Sequence, residues 1–172
     1  IAIAVAATVR VLRRPSSESN TYRRALEAIA IGDTVTAANL LRTAVEENTE
    51  NIGAYLHLGR LLRLRGDSDR ALRIHRELSI RKLTNRQRKQ VKREMLADLA
   101  QTGQWEEVKA LAAELLKMGV DDTRVLKAKG KAHESLREWD EAIKVFEEIE
   151  KRRESPSKRT VALYRAYVGQ DF

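Results

Sequence analysis

Apolar residues recur at helical spacing along most of the chain, and short polar breaks interrupt them at regular places. In the stretch Tyr55–Leu78, one apolar stripe is followed by a Gly-Asp pair at Gly66 and then by a second stripe. The stripes consist of Leu58, Leu61 and Leu62, and of Leu72 and Leu78. Apolar residues at positions i, i+3 and i+4 are typical of a helix with one buried face. The pattern therefore predicts a helix, a tight turn and a second helix.

The same pattern returns at a nearly fixed interval. Gly32 and Gly66 are 34 positions apart, Gly103 follows 37 positions later, and Arg137 stands 34 positions after that. Self-similarity at such a period indicates a repeat protein, in which each unit packs on its neighbours. The three extra residues fall between the second and third units, where Thr84 is predicted to be the N-cap of the next helix.

A helix–turn–helix period of 34 resembles the tetratricopeptide repeat, whose small and aromatic positions are also present. These positions are Gly32, Ala37, Gly59, Gly66, Ala71, Gly103, Trp105, Gly130, Trp139, Ala142 and Phe146. The third unit diverges, because Leu96 and Val108 stand where the repeat has small residues. We interpret Gly59 and Ala71 as paired small residues that let two helices approach closely, and the two tryptophans as core residues.

The resemblance implies an all-α fold, a right-handed superhelix of helix–turn–helix repeats (an α-solenoid). It predicts four repeats, at about 21–51, 52–84, 85–121 and 122–156. Residues 157–172, which follow Pro156, are predicted to be the first helix of a fifth repeat or a cap. Residues 1–14 are predicted to be either the truncated end of an N-terminal membrane anchor or an apolar arm, and residues 15–20 a linker.

Composition adds a preference for acidic partners and gives no sign of catalysis. The net charge of +8 favours an anionic protein, a membrane surface or a nucleic acid as partner. The absence of cysteine excludes disulfides and thiolate metal sites and fits a reducing compartment. The three histidines follow no pattern with acidic residues, so His75 and His133 are interpreted as packing residues. No phosphate-binding glycine loop or metal-ligand spacing is present, and we predict no catalytic residue, cofactor or metal.

The resemblance also implies which residues face the concave groove of the array, since particular positions of each first helix line it. In this chain these are Tyr22, Leu26, Ile29, Leu56, Arg60, Arg63, Leu64, Gln90, Arg93, Arg124, Lys127 and Lys131. The groove is expected to be apolar at its N-terminal end and basic beyond it. Guanidinium groups bind carboxylates through paired hydrogen bonds, which favours an acidic or amphipathic protein segment as the ligand. The alternative is that a cationic chain carries cations on every face.

A second basic feature is the run Arg81–Arg93, in which seven of thirteen residues are arginine or lysine. Such a run could contact anionic lipid head groups or nucleic acid. Nucleic acid is disfavoured, because the run has no interleaved aromatic residue on which bases could stack. A solvated helix face is the simplest interpretation.

The chain further resembles the N-terminal part of the bacterial lipopolysaccharide assembly protein B family. The resemblance depends on the apolar start followed by Arg13 and Arg14, the linker PSSESN, and the segments Arg65–His75 and Leu83–Arg88. It implies a non-catalytic adaptor, anchored in the inner membrane and facing the cytoplasm, that regulates lipopolysaccharide assembly through a partner protease and a deacetylase. That family ends in a four-cysteine knuckle, which either lies beyond residue 172 or is missing, since the sequence has no cysteine. The alternatives are a generic scaffold in another complex and a basic nucleic-acid-binding repeat protein.

Overall fold

The computed structural model describes residues 20–152, and within this range the chain forms eight α-helices and no strand. The helices are α1 (Asn20–Ala30), α2 (Thr34–Glu47), α3 (Ile52–Leu64), α4 (Ser68–Ser79), α5 (Asn85–Gln101), α6 (Trp105–Lys117), α7 (Thr123–Ser135) and α8 (Trp139–Lys151). The prediction of an all-α helical repeat fold is confirmed. The predictions for residues 1–14, for 15–19 of the linker and for the segment after Pro156 lie outside the described residues, and Asn20 belongs to α1.

Two compact parts meet at residue 50. The first contains α1 and α2, which pack on each other and bury mainly small side chains, among them Ala25, Ala28 and Ala37. At the open end of this pair, the Thr21 hydroxyl donates a hydrogen bond of 2.8 Å to Glu47. Small buried residues let two helices of this length approach closely without a large apolar core.

The second part contains α3 to α8, and each helix packs on the next one along the chain. The first helices of consecutive repeats also touch, α3 with α5 and α5 with α7. Buried leucine and valine side chains from neighbouring repeats fill the space between them, for example Leu72 with Leu96 and Val108. Because this core is assembled from residues of adjacent units, each repeat depends on its neighbours for burial.

The close approach at Gly59 involves a different partner from the one predicted. A Cβ atom on Gly59 would lie 2.5 Å from Nε2 and 2.6 Å from Cε1 of His75, and all three of its nearest neighbours are atoms of that ring. Ala71 is buried, but it is not the residue that faces Gly59. Gly130 has the equivalent relation to Phe146. The glycine therefore makes room for an aromatic ring of the second helix, which lies nearer to it than the predicted partner Ala71 does.

The longest helix, α5, absorbs the extra residues of the irregular spacing. It has 17 residues, against 13 in both α3 and α7, and its additional turn lies at the N-terminal end. Thr84 caps this turn: the Gln87 amide donates to its hydroxyl, while the Thr84 amide donates to the Gln87 side chain. The prediction of Thr84 as an N-cap is confirmed. The turn also places Arg86 beside the neighbouring repeats.

The turns inside the repeats share one backbone conformation, which three glycines and one arginine adopt. Gly66 and Gly103 have φ angles of 87° and 72°, and Arg137 occupies the same place with a φ of 61°. In its turn, the Glu138 amide donates to the carbonyl of His133 at 2.9 Å, as expected where a left-handed residue ends a helix. Arginine at this position is strained, because its Cβ approaches the following carbonyl.

Arg137→Gly should raise the free energy of unfolding by about 1 kcal/mol. Relief of left-handed strain is worth roughly 1–2 kcal/mol, and the extra freedom of glycine in the unfolded chain removes about half of that gain. Chemical denaturation of the two proteins measures the difference. Arg137→Ala, which keeps the Cβ, should show no comparable gain, and equal stabilisation by both variants would contradict the explanation.

Candidate functional site

A cavity of about 410 Å³ lies between the first helices of the second, third and fourth repeats, within the second compact part. Its lining consists of Arg60, Arg63, Arg86, Gln90, Arg93, Glu94, Leu96, Ala97, Asp122, Arg124, Val125 and Ala128. We call it the arginine groove. The apolar residues of the lining are buried or half-buried, whereas four of the five arginines are exposed. The groove therefore has an apolar floor and a charged rim.

Helix α5 forms the middle of the groove, because α3 and α7 pack on either side of it. Arg86, Gln90, Arg93 and Ala97 all line the cavity and recur at intervals of three or four residues. Residues at this spacing lie on one face of a helix. The additional first turn of α5 extends that face by one arginine, Arg86.

A chain of hydrogen-bonded polar side chains connects the core to the groove. His75 Nδ1 donates to Asp98 at 2.5 Å, and the other oxygen of Asp98 accepts from Arg63 at 2.6 Å. Arg63 also donates to Glu94 at 2.6 Å, and Glu94 accepts from Arg60 at 3.0 Å. Asp98 and His75 are completely buried, and Nε2 of His75 has no hydrogen-bond partner among the described residues. Side chains of α4, α5 and α3 are thus joined in one network.

The guanidinium of Arg63 donates to Asp98 and Glu94 and is therefore not available to a ligand. Partial burial by itself would lower the pKa of Arg63, but the hydrogen bonds to Glu94 and Asp98 raise that pKa above its ordinary value. Only 12% of the Arg63 side chain is exposed, and the same fraction of Glu94. Arg63 is therefore a permanently charged part of the interface between two repeats.

Asp122 is the shared carboxylate partner of two other arginines at the opposite side of the groove. Its Oδ2 lies 2.8 Å from Nη2 of Arg124 and 3.8 Å from Nε of Arg93. Its Oδ1 accepts from the Arg124 backbone amide at 2.9 Å and caps the start of α7. The pKa of Asp122 is lowered, mainly because the Arg124 side chain donates a hydrogen bond to its carboxylate. Asp122 is therefore ionised at neutral pH.

Arg86 differs from the other four arginines of the groove. Its side chain is exposed and forms no hydrogen bond or ion pair with any residue in the range 20–152. The lining contains five arginines and two carboxylates, so the groove carries an excess of positive charge. An exposed guanidinium with free donors can bind a carboxylate through two parallel hydrogen bonds.

The structure brings together part of the predicted groove. The predicted residues that line it are Arg60, Arg63, Gln90, Arg93 and Arg124. Leu56 does not line the groove. It is buried with Leu78, Leu83 and Val91 in the core between two repeats. Leu64, Lys127 and Lys131 are exposed but do not line the cavity, and Lys131 pairs with Glu134 on its own helix at 3.1 Å.

The three predicted groove residues of the first repeat lie in the first compact part, outside the part that forms the arginine groove. Tyr22 is buried there, and Leu26 and Ile29 are half-buried. The prediction of Tyr22 as a residue open to a partner is wrong, since only 8% of this α1 residue is exposed.

Sequence reasoning missed Arg86, Glu94 and Asp122 as groove residues. Arg86 stands inside the basic run Arg81–Arg93, and its spacing from Gln90 and Arg93 was the signal that could have found it. The structure divides that run between two surfaces. Arg88 and Lys92 line a separate cavity of about 320 Å³, where Lys92 pairs with Glu114 at 2.7 Å.

Both buried histidines have a carboxylate partner that no local sequence pattern shows. His75 pairs with Asp98, as described, and His133 Nδ1 lies 2.6 Å from Glu138, which also accepts from Lys109 at 2.7 Å. Within residues 20–152, no group of three or more acidic or histidine side chains is arranged to hold a metal ion. In the same range, no helix combines the length and the hydropathy that crossing a membrane requires.

Comparisons with known proteins agree with this architecture. Tetratricopeptide repeat models match residues 54–89 and residues 97–159. A tetratricopeptide repeat protein from Parabacteroides merdae is similar at a TM-score of 0.69 and 19% identity, over 85% of this chain and 56% of that one. MamA from AMB-1 is similar at a TM-score of 0.72 and 19% sequence identity, over 89% of both chains. MamA from MSR-1 is similar at a TM-score of 0.71 and 20% sequence identity, over 87% of this chain and 85% of the MamA chain.

The chain thus spans about half the length of the Parabacteroides merdae protein that it resembles. No curated protein sequence matches it. Likeness at 19–20% identity shows a common fold and does not by itself assign a function. The two repeat models, however, together cover more than half of the 172 residues. The chain belongs to the tetratricopeptide repeat family.

Proposed function

We propose that this protein is a non-catalytic scaffold that holds an acidic, partly apolar segment of a partner protein in the arginine groove. Tetratricopeptide repeat proteins typically bind protein partners and are in general scaffolds without catalytic activity. The observation that carries the finer proposal is Arg86, an exposed arginine that has no partner among residues 20–152 and lines the same cavity as the apolar floor. Arg60, Arg93 and Arg124 surround it with further positive charge.

The lining favours a peptide over a nucleic acid. It contains no aromatic ring among the residues that form it, so bases would have no platform on which to stack. The floor of the groove contains the small, half-buried side chains of Ala97 and Ala128. Such a floor can accommodate the apolar side chains of an extended or helical segment. Carboxylates of that segment would meet the arginines at the rim.

We also infer that the partners belong to lipopolysaccharide assembly. The support is the sequence resemblance of Arg65–His75 and Leu83–Arg88, together with where these segments lie. The first contains His75, the buried end of the network, and the second contains Thr84 and Arg86 of the additional turn. On this proposal the protein is an adaptor at the cytoplasmic side of the bacterial inner membrane that joins a protease to a deacetylase. A scaffold of another complex is the alternative.

Arg86→Glu should weaken binding of a short peptide of alternating glutamate and leucine residues by about tenfold, since reversal both removes an attraction and adds a repulsion. Arg88→Glu is the matched control, because it makes the same charge change two residues away on a different face. It should change the affinity by less than about twofold. Fluorescence anisotropy of the labelled peptide measures both.

Equal losses in the two variants would mean that only net charge matters, and the groove would not be the site. Binding of a single-stranded oligonucleotide more tightly than the peptide, with steep salt dependence, would favour the nucleic-acid alternative. The same two variants also test the inferred partners. Affinity capture from the bacterial membrane should retain the protease and the deacetylase with Arg88→Glu and lose them with Arg86→Glu.

A further inference from the structure

The two carboxylates that line the arginine groove are held in different ways. Both oxygens of Glu94 are occupied, one by Arg63 at 2.6 Å and one by Arg60 at 3.0 Å. Arg63 in turn is fixed by the buried Asp98. Withdrawing Glu94 from this network would leave a largely buried arginine with one counter-ion fewer, which is costly. Glu94 is therefore a fixed part of the wall.

Asp122 has more accessible partners. The side chain of Arg124 is 80% exposed and that of Arg93 is 43% exposed, while Asp122 itself is 17% exposed. The Arg93 contact is long, at 3.8 Å. When one arginine turns from Asp122 toward a ligand, the largely buried Asp122 keeps the other arginine and the hydrogen bond from the Arg124 backbone amide. Both oxygens of Asp122 accept from the Arg124 guanidinium, at 2.8–3.2 Å, so Arg124 is the more tightly held of the two and a second carboxylate competes first for Arg93.

We propose that Asp122 is an internal competitor for the ligand: it occupies Arg93 and Arg124 in the free groove, and a carboxylate of the bound acidic segment takes its place. This inference rests on the proposed function and adds the part of the site that sets its affinity. Arg86 then makes the first contact, since no residue of the described range 20–152 pairs with it, and Arg93 follows it on the same face of α5. The negative charge of Asp122 also repels the incoming carboxylate, so its presence weakens binding in two ways.

The second role of Asp122 supplies a clean test. Its Oδ1 caps α7 by accepting from the Arg124 amide, and asparagine is as good an N-cap as aspartate. Asp122→Asn therefore keeps an acceptor oxygen at the start of the helix and removes the charge that holds the two arginines. Asp122→Ser also retains capping ability and serves as a second variant.

Asp121→Asn is the matched control. Asp121 is the preceding residue, is mostly exposed, pairs with Arg152 and does not line the groove. Its substitution makes the same change in net charge. Any gain in affinity that both variants share would come from net charge, and a gain found only at Asp122 would come from the freed arginines.

Titration of the peptide of alternating glutamate and leucine residues should show that Asp122→Asn binds about three- to tenfold more tightly than the unaltered protein. Asp122→Ser should tighten binding similarly, and Asp121→Asn by less than about twofold. The affinity of Asp122→Asn should also fall more steeply with salt concentration. Circular dichroism before and after the substitution confirms that α7 is retained.

The outcomes separate this inference from the function on which it rests. If the unaltered protein binds the peptide and Arg86→Glu weakens it, but neither Asp122 variant tightens it, the inference is wrong and the proposed function stands. If tightening by Asp121→Asn equals that by Asp122→Asn, the inference is also wrong. If neither the unaltered protein nor any Asp122 variant binds the peptide, both are overturned.

Discussion

Replacing Asp98 with alanine should lower the free energy of unfolding by about 3–5 kcal/mol, the usual cost of removing one member of a buried ion pair. Asp98 is completely buried and accepts hydrogen bonds from Arg63 and His75. Its removal would leave Arg63, which is 12% exposed, with Glu94 as its remaining counter-ion on that side, and the His75 ring without its hydrogen bond. Because native proteins are stable by only about 5–15 kcal/mol, the loss should be plain in any denaturation curve.

Chemical denaturation followed by far-ultraviolet circular dichroism measures this change. Asp98→Asn keeps the shape and one acceptor, so it should cost less than alanine but still destabilise, because Arg63 loses a charge partner. Glu77→Ala, an exposed acidic residue of α4, is the control and should stay within about 0.5 kcal/mol. A loss at Asp98 no larger than that of the control would show that the network contributes little to stability.

Gly59→Ala should destabilise the protein by about 2 kcal/mol, although alanine is the better helix former by roughly 1 kcal/mol. The new methyl group would lie 2.5 Å from Nε2 of His75, well inside contact distance. His75 has no room to move, because its ring is completely buried and its Nδ1 is held by Asp98 at 2.5 Å. The clash must therefore separate α3 from α4 or break the hydrogen bond to Asp98.

Gly130→Ala is the comparison for this prediction. There the methyl group would meet the Phe146 ring at 2.9 Å, a wider separation, and Phe146 is half-buried. Thermal unfolding of both variants should show the smaller loss at Gly130. If Gly59→Ala were neutral or stabilising, the helix propensity term would be the larger one, and the packing explanation of this glycine would be wrong.

Much of the fold could be predicted from the sequence because its signals are local. The apolar period marked the helices, and Gly66 and Gly103 marked turns whose left-handed residues glycine adopts without strain. Thr84 indicated the start of α5, since it forms a capping box with Gln87. Repetition strengthened each of these signals, since the same signal returned at the next unit.

The groove could be predicted only in part. Arg60, Gln90 and Arg93 were found because each repeat position faces the same way in every unit. Leu56 was misplaced, since a leucine at a groove position is buried when the neighbouring repeat packs over it. Arg86 was missed because it lies in the additional turn of α5, outside the regular positions of a repeat.

The sequence by itself determined where the helices begin and end and which of their faces are apolar, because caps, turns and periodicity act over a few neighbouring residues. Only the tertiary structure decided which arginines of the groove are paired with carboxylates and which, among residues 20–152, has no such partner. Arg63 and Asp98 are 35 residues apart, and nothing near either residue indicates that they meet. Charge pairs across packed helices depend on distances of a few ångströms, which arise only when the repeats stack.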